Sequence, residues 1–309
     1  MSDARPVVLE VALNGVTRPE QNPAVPQEPE AIAEDALRCL EAGATVVHTH
    51  THQPVLQPEA GADLYRRAYE PILARRPDAI LYPTVAPGAN LEQRYGHVGR
   101  LAEAGLIRCA ALDTGSVNLG ASAADGWPMP MDYVYTNSPS DIRGMLEICK
   151  SHALGPSVAI FEPGFLRVVL AAHRAGSLPR GTLVKFYFSA GGFLTEGEPI
   201  FGAPPIPEAL ELYLAMLGDA SLPWAVAVLG GSLLDSPIAA LALQRGGHLR
   251  VGLEDFFSAK SNLDEVERAA RLCAEHGRRP ATAAETTALL DLPLRSSART
   301  GTLPEREPA

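Results

Sequence analysis

Two histidines separated by one residue end a run of β-branched residues, in the segment ATVVHTH at residues 44–50. Side chains alternate along a strand, so His48 and His50 point to the same side with Cα atoms about 6.5–7 Å apart. At that spacing two imidazoles can bind one metal ion. A hydrogen-bonded pair of core histidines is the alternative. Two histidines on a predicted buried strand favour the metal site, and His52 is expected in the loop beyond it.

A carboxylate at the end of the last predicted strand is the natural third ligand. Catalytic zinc takes three protein ligands and keeps one position open. In a closed barrel the segment LRVGLED, residues 249–255, lies beside the first strand and near the second, so Glu254 is the predicted ligand. Asp255 is expected to point to the other face. A helix N-cap is the alternative role for the Glu-Asp pair.

Arg250 lies four residues before Glu254, on the same predicted face of the strand. An arginine inside a barrel needs a carboxylate partner, and Glu162 at the end of the fifth predicted strand is the candidate. A carboxylate held by arginine is ionised, and it becomes a competent base when the pair opens. A purely structural ion pair remains the alternative.

The elements that must position these residues recur as β-rich segments, each followed by a helical pattern. Most of the segments are continuously apolar, which is typical of parallel strands buried on both faces. Eight strands and about eight helices predict an α/β fold, a (β/α)8 TIM barrel over residues 1–292 with a C-terminal tail at 293–309. A doubly wound open sheet is the alternative. The predicted strands are 6–13, 44–50, 79–85, 107–113, 156–162, 183–189, 224–230 and 249–255.

Composition excludes several classes of partner. The 309 residues include 26 Lys and Arg against 36 Asp and Glu, a net charge of −10, without the basic cluster that nucleic acid or an anionic membrane surface requires. The four cysteines form no Cys-x-x-Cys motif, so we expect reduced thiols. No apolar run is long enough to span a bilayer. A soluble, cytoplasmic protein is expected.

Four segments together resemble the β-keto acid cleavage enzymes, over about residues 7–292. They are NPAVPQEPEAIAEDALRCLEAGATVVHTH, ALDTGSVNLG, GGHLRVGLEDF and SNLDEVERAARLCAEHGRRPATAAE. That family consists of zinc-dependent (β/α)8 barrels, usually homotetramers. They condense a β-keto acid with a CoA thioester, commonly acetyl-CoA, and release acetoacetate and a new CoA ester. The resemblance therefore implies a keto acid and a CoA thioester as partners, and a homo-oligomer.

The resemblance also implies roles for individual residues. One zinc ion per chain would be held by His48, His50 and Glu254. Glu162 would be the base, released from Arg250, and Asp255 would assist near the metal. The substrate carboxylate would be held by residues that match the family's contacts, namely Thr84, Thr114, Gly115 and Ser116.

Some substrate-facing positions depart from the family pattern. PTVAPG replaces a Thr-Gly-Gly motif after the third strand, and Pro87 there removes an N–H donor. Gly15 stands where some members have a polar side chain that grips the substrate, which leaves Asn14 as the candidate contact. His52 and Phe256 replace a usual Arg and Asn. Altered substrate choice is predicted, with a zinc hydrolase or lyase and a non-catalytic ligand-binding barrel as alternatives.

Overall fold

The computed structural model describes residues 5–52, 55, 57–130, 134–192 and 197–293. Within these ranges eight parallel strands alternate with eight helices, a ninth helix follows, and the two-residue strands Pro6–Val7 and Arg279–Pro280 pair separately. The strands are β1 Leu9–Ala12, β2 Val46–Thr49, β3 Ile80–Pro83, β4 Cys109–Asp113, β5 Gly155–Ile160, β6 Leu183–Ser189, β7 Trp224–Leu229 and β8 His248–Val251. The helices are α1 Pro29–Glu41, α2 Pro58–Arg75, α3 Leu91–Glu103, α4 Pro139–Ser151, α5 Pro163–Arg174, α6 Pro207–Leu217, α7 Pro237–Arg245, α8 Asn262–Glu275 and α9 Ala283–Leu289.

The strands form a nearly closed barrel in the order β3-β2-β1-β8-β7-β6-β5-β4. Between β3 and β4 the Arg108 N–H donates to the Leu81 carbonyl at 3.4 Å, which brings the two ends of the sheet together. The first and last strands pair in parallel, so the predicted barrel is confirmed and the open sheet is wrong. This closure brings the ends of β8, β1 and β2 side by side.

Local sequence explains where the helices begin. Six of them have proline in the first turn, where its missing N–H costs nothing and its fixed φ suits the helix. α4 is also closed by a capping box, in which Ser138 and Asp141 each accept from the other's backbone N–H. The six prolines are Pro29, Pro58, Pro139, Pro163, Pro207 and Pro237. Proline thus marks the first residue of each of these six helices.

The amino end of the barrel interior is closed by an apolar layer. Side chains from five strands, together with Val8 just before β1, meet two leucines that follow the short helix α9. The members are Val8, Val46, Ile80, Tyr82, Cys109, Leu183, Ala225, Leu290 and Leu292. The C-terminal segment is thus part of the barrel as far as Pro293. The rest of the predicted tail, from residue 294, lies outside the described residues.

The last strand is shorter than predicted. β8 ends at Val251, and Gly252 follows with a φ of +135°, a conformation that side chains rarely adopt. A Cβ on Gly252 would lie 2.2 Å from the Ala12 carbonyl oxygen, so the chain must turn there without a side chain. Glu254 and Asp255 therefore lie in a turn beyond the strand.

The helices found in the described ranges include none with the length and apolar character needed to cross a membrane. The four cysteines, Cys39, Cys109, Cys149 and Cys273, are buried free thiols.

Candidate active site

His48, His50 and Glu254 meet at the carboxyl end of the barrel. His48 lies on β2, His50 follows that strand, and Glu254 reaches over from the turn after β8. His48 Nε2 is 3.3 Å from Glu254 Oε2, and His50 Nε2 is 3.4 Å from Glu254 Oε1. One ligand atom from each residue lies within 4.8 Å of the other two. The structure thus brings together the three residues that the sequence proposes as metal ligands.

The donor atoms of this cluster fit a zinc ion. Ligand atoms bonded at about 2.1 Å to a tetrahedral ion lie about 3.4 Å from one another, close to the spacing found here. His50 Nε2 and Glu254 Oε2 are buried, and neither has a hydrogen-bond partner among the described residues. Buried polar atoms are rarely left in that state. Burial also lowers the pKa of His48 well below its ordinary value, so its imidazole is neutral and able to bind a cation.

Gly15 and Asn14 hold two of these ligands in place. A Cβ on Gly15, whose φ is +54°, would lie 2.3 Å from the Glu254 Cγ, so a side chain there would displace the carboxylate. The Asn14 amide oxygen accepts from the His50 N–H at 2.9 Å, and its nitrogen donates to the His50 carbonyl at 3.1 Å. Asn14 also bonds Pro26 and Gly15. The backbone thus already uses the Asn14 amide, and the role of Asn14 as a substrate contact stays a prediction.

Arg250 is buried beneath the cluster and uses every N–H of its guanidinium. Nε and Nη2 bind the two oxygens of Asp255 at 2.9 and 3.0 Å, and Nη2 also lies 2.9 Å from Glu254 Oε1. Nη1 donates to Glu10 at 2.7 Å and to the Tyr82 hydroxyl at 3.3 Å. Burial opposes ionisation of Glu254, but Arg250 and the two imidazoles hold its pKa well below the usual range.

Two predicted contacts of Arg250 are corrected. Asp255 does not point away from Glu254, because strand alternation ends at Gly252 and both carboxylates turn back onto Arg250. Glu162 is not the partner of Arg250, whose donors are already occupied. Glu162 precedes α5, and its carboxylate accepts from the Gly202 N–H at 2.9 Å.

A second layer of charge lies deeper in the barrel. Glu10 Oε1 accepts from the Tyr82 hydroxyl at 2.5 Å and from Lys185 Nζ at 3.0 Å. Burial opposes ionisation of Glu10, but Lys185 and Arg250 lower its pKa to about 2. The Tyr82 ring stacks on His48 with centroids 4.4 Å apart. The layer thereby supports the candidate metal ligand His48 through Tyr82 and the candidate ligand Glu254 through Arg250.

A cavity of about 230 Å³ opens above this layer and holds the volume of about eight water molecules. Thr84 lines it, as do all three residues of the cluster. Apolar side chains from five different strand ends or loops also line it, namely Val16, Val85, Leu119, Phe161 and Leu229. The cavity therefore has room for a small acid and combines an apolar wall with a polar floor.

Three predicted substrate contacts do not line this cavity. Thr114 Oγ1 donates to the Phe165 carbonyl at 3.0 Å, and Ser116 Oγ donates to the Asn137 carbonyl at 3.2 Å. A Cβ on Gly115 would lie 2.4 Å from the Phe165 ring. These contacts pack the loop after β4 against its surroundings, and the roles of Thr114, Gly115 and Ser116 as substrate contacts stay predictions. The same loop reaches the cavity through Leu119 and Tyr135.

Several functional candidates are absent from the sequence-based set. Glu10 and Lys185 are charged residues inside apolar strands, a signal visible in the segments PVVLEVAL and LVKFYFS. Tyr82 and Ser157 give no such signal, because a lone tyrosine or serine in a strand is common. Asp113, at the end of β4, lines the cavity and accepts from the Tyr135 hydroxyl. Burial raises its pKa.

Comparison with known proteins places this site in context. The family model described as beta-keto acid cleavage enzyme matches residues 6–292. The 3-keto-5-aminohexanoate cleavage enzyme of Fusobacterium nucleatum is 28% identical over 280 residues, which cover 88% of this chain and 93% of that protein. The 3-oxoadipate:acetyl-CoA acetyltransferase of Cupriavidus necator is 29% identical over 301 residues, covering 94% and 96%.

Solved structures show the same fold. The binary complex of ObcA with oxaloacetate aligns with a TM-score of 0.64 at 19% identity, covering 88% of this chain and 68% of that one. The ternary complex of ObcA with a C4-CoA adduct and oxalate aligns with a TM-score of 0.62 at 20% identity, covering 87% and 68%. Identities this low support the barrel alone.

Proposed function

Since this chain belongs to the family of β-keto acid cleavage enzymes, we propose that it is a zinc-dependent acyltransferase acting on a β-keto acid and acetyl-CoA. The acyl group of the keto acid passes to CoA, and the acetyl group joins the remaining acetate unit, so the products are acetoacetate and a new acyl-CoA. One observation carries the proposal. His48, His50 and Glu254 converge, with unpartnered buried donor atoms, on a cavity the size of a small acid.

The metal ligands are proposed as His48, His50 and Glu254, with one ion per chain. Bound zinc would act as a Lewis acid that polarises the β-ketone and stabilises the negative charge of its enolate. The chain itself orients the ligands. Tyr82 packs on the His48 ring, and Arg250 and Gly15 fix the position of the Glu254 carboxylate. Thr84 lines the cavity and is the proposed side-chain contact for the substrate carboxylate.

We propose Glu162 as the base that removes a proton from the methylene between ketone and carboxylate. Asp255 is the alternative, because burial raises its pKa to about 6 and a base near that value is effective at neutral pH. Two variants separate these roles. We expect Glu162→Gln to retain the metal and lose turnover, while full activity of that variant would transfer the role to Asp255, tested by Asp255→Asn.

The test of the reaction has two parts. Metal analysis of the purified protein should give about one zinc per chain, as the ligand set predicts. A screen of β-keto acids should then show acetoacetate formation that requires acetyl-CoA. Turnover without a CoA thioester would instead indicate a hydrolase or lyase, and tight keto acid binding without turnover a non-catalytic barrel.

We further propose that the protein is a homotetramer. An apolar groove between α4 and α5, lined by Ile142, Leu146, Val168 and Ala171, supports self-association, and the Val168 side chain is 39% exposed there. Native mass spectrometry would test this proposal, and a monomer at micromolar concentration would contradict it.

A further inference from the structure

The cavity wall opposite the metal ligands carries polar groups that the proposed reaction leaves unused. In the ring of eight strands, β5 and β6 lie across from β1 and β2. Ser157 on β5 and Lys185 on β6 both line the cavity. Ser157 is 4% exposed, and its hydroxyl oxygen has no hydrogen-bond partner in the described part of the chain. A buried hydroxyl facing a cavity in this state is a group that a ligand can satisfy.

Lys185 also retains a hydrogen for a ligand. An ammonium group carries three hydrogens. Lys185 donates one to Glu10 at 3.0 Å and one to the Tyr82 hydroxyl at 2.7 Å. The third has no acceptor among the described residues, and the side chain borders the cavity.

Strand register places a carboxylate on the other side of the same space. Asp113, Ala159 and Lys185 are partners across β4, β5 and β6, so they lie at one level of the barrel. Neighbouring strands lie about 4.8 Å apart, which separates Asp113 and Lys185 by about 10 Å at the backbone. The methyl group of Ala159 fills little of the space between them. We call this region, bounded by Asp113, Ser157, Ala159 and Lys185, the Ala159 notch.

The charges around the notch already have partners, whereas the Ser157 hydroxyl and one hydrogen of Lys185 have none among the described residues. Lys185 faces the ionised Glu10, and Tyr135 donates to Asp113. A ligand carboxylate in the notch would lie beside Asp113, and a ligand ammonium would lie beside Lys185. A hydroxyl adds no charge, accepts from Lys185 or Ser157, and donates to Asp113.

We propose that the Ala159 notch binds a hydroxyl group on the tail of the keto acid, so that the substrate is a hydroxylated β-keto acid. This inference rests on the proposed function, which places the ketone and the substrate carboxylate at the metal side. Apolar residues such as Val16 and Leu229 border the cavity and suit the carbon atoms between the two ends. A site that hydrogen-bonds a hydroxyl rejects the analogue lacking it, because its own buried polar groups then remain unpaired.

The first test compares four tails on one keto acid scaffold. We expect kcat/KM with acetyl-CoA to be at least about 10-fold higher for 5-hydroxy-3-oxohexanoate than for 3-oxohexanoate. 5-Amino-3-oxohexanoate and 3-oxoadipate, which carry an ammonium and a second carboxylate, should both rank below the hydroxyl compound. Equal kcat/KM values for 5-hydroxy-3-oxohexanoate and 3-oxohexanoate, or a preference for either charged tail, would overturn the proposal.

A matched pair of serine variants tests the location. Ser157→Ala should reduce the ratio of kcat/KM for 5-hydroxy-3-oxohexanoate to kcat/KM for 3-oxohexanoate. Ser189→Ala should leave the ratio unchanged, because Ser189 Oγ is also buried without a partner but lies outside the cavity lining. An unchanged ratio in Ser157→Ala, or the same loss in both variants, would contradict the notch.

Binding measured without acetyl-CoA separates the notch from the reaction. Calorimetric titration of the metal-loaded protein should show tighter binding of 5-hydroxy-3-oxohexanoate than of 3-oxohexanoate. If that preference holds but no keto acid is turned over, the proposed function fails and the notch stands. Turnover with no preference for the hydroxylated keto acid, in binding or in rate, would support the proposed function and contradict the role of the Ala159 notch.

Discussion

At the amino end of the barrel, most inward-facing side chains are apolar and pack with Leu290 and Leu292. Two residues further along, the inward positions of β1, β6 and β8 hold Glu10, Lys185 and Arg250. Among the described residues these three charges are paired with one another, and Lys185 and Arg250 also line the cavity. Because burying charge is costly, this difference locates the chemistry.

Buried histidines make the same contrast more sharply. His248 faces the amino end and accepts from the Val8 N–H at 3.1 Å. His50 instead has a buried nitrogen without a hydrogen-bond partner among the described residues. Burial of an imidazole is therefore not itself a sign of function. A buried imidazole nitrogen that lacks a hydrogen-bond partner and lies beside a carboxylate is the more informative sign.

The largest expected effect comes from exchanging one histidine at each end. His50→Gln should lose the metal and lower kcat/KM by about 10³-fold or more, since a ligand and the Lewis acid are lost together. His248→Gln should keep both, because the glutamine oxygen can accept from the Val8 N–H. Metal content and kcat/KM should be measured on both variants. If the His50→Gln variant kept both its metal and its activity, the functional difference between the two ends of the barrel would be contradicted.

The next prediction distinguishes steric crowding of the Glu254 side chain from backbone strain at a glycine with positive φ. Gly15→Ala places a methyl group against Glu254 and should lower turnover by about 10- to 100-fold through displacement of the carboxylate. Gly105→Ala is the control, because its φ of +69° is similarly strained but no atom lies within 4 Å of its Cβ. Both should lose about 1–2 kcal/mol of stability, and only Gly15→Ala should lose metal affinity. Equal metal binding by the two variants would contradict the role of Gly15.

The amino end should respond in stability alone. Leu290 is 3% exposed in the apolar layer, and truncating such a leucine costs about 2–5 kcal/mol. Leu290→Ala should therefore unfold at lower urea concentration while the folded fraction keeps its metal and its kcat. Leu289→Ala, at a side chain that is 40% exposed, should change the free energy of unfolding by about 0.5 kcal/mol or less. Loss of metal from Leu290→Ala would show that the two ends are coupled.

The strand pattern predicts the parts of the site that depend on local geometry or on ring closure. Period-2 alternation places His48 and His50 on one side, and closure brings Glu254 to them. Alternation fails for Asp255, because Gly252 ends β8 and no strand rule applies to the turn that follows. The same turn brings both carboxylates onto Arg250.

Contacts between distant segments could not be obtained from the pattern. Lys185 reaches Glu10 across 175 residues of sequence, and only the barrel's diameter and side-chain lengths decide that the two atoms meet. The sequence pattern pairs Glu162 with Arg250 because both are charged and both are predicted near the carboxyl ends of the strands. The actual donors of Arg250 are taken by groups on nearer strands and on its own turn. Side-chain competition of this kind is a property of the packed interior.

The smallest effect is a pH dependence carried by two buried histidines outside the proposed metal cluster. Burial lowers the pKa of His248 and of His97 from 6.5 to about 4. The unfolded chain therefore binds more protons than the folded one between these values, and stability falls as the pH falls from 6.5 towards 4. Each such histidine costs about 1 kcal/mol between pH 7 and 5.5. His248→Gln should reduce this loss by that amount in urea unfolding of chelator-treated protein, where metal release cannot contribute. Parallel pH profiles for the variant and the unmodified chain would show that His248 is protonated as easily when folded as when unfolded, and would contradict this account of the pH dependence.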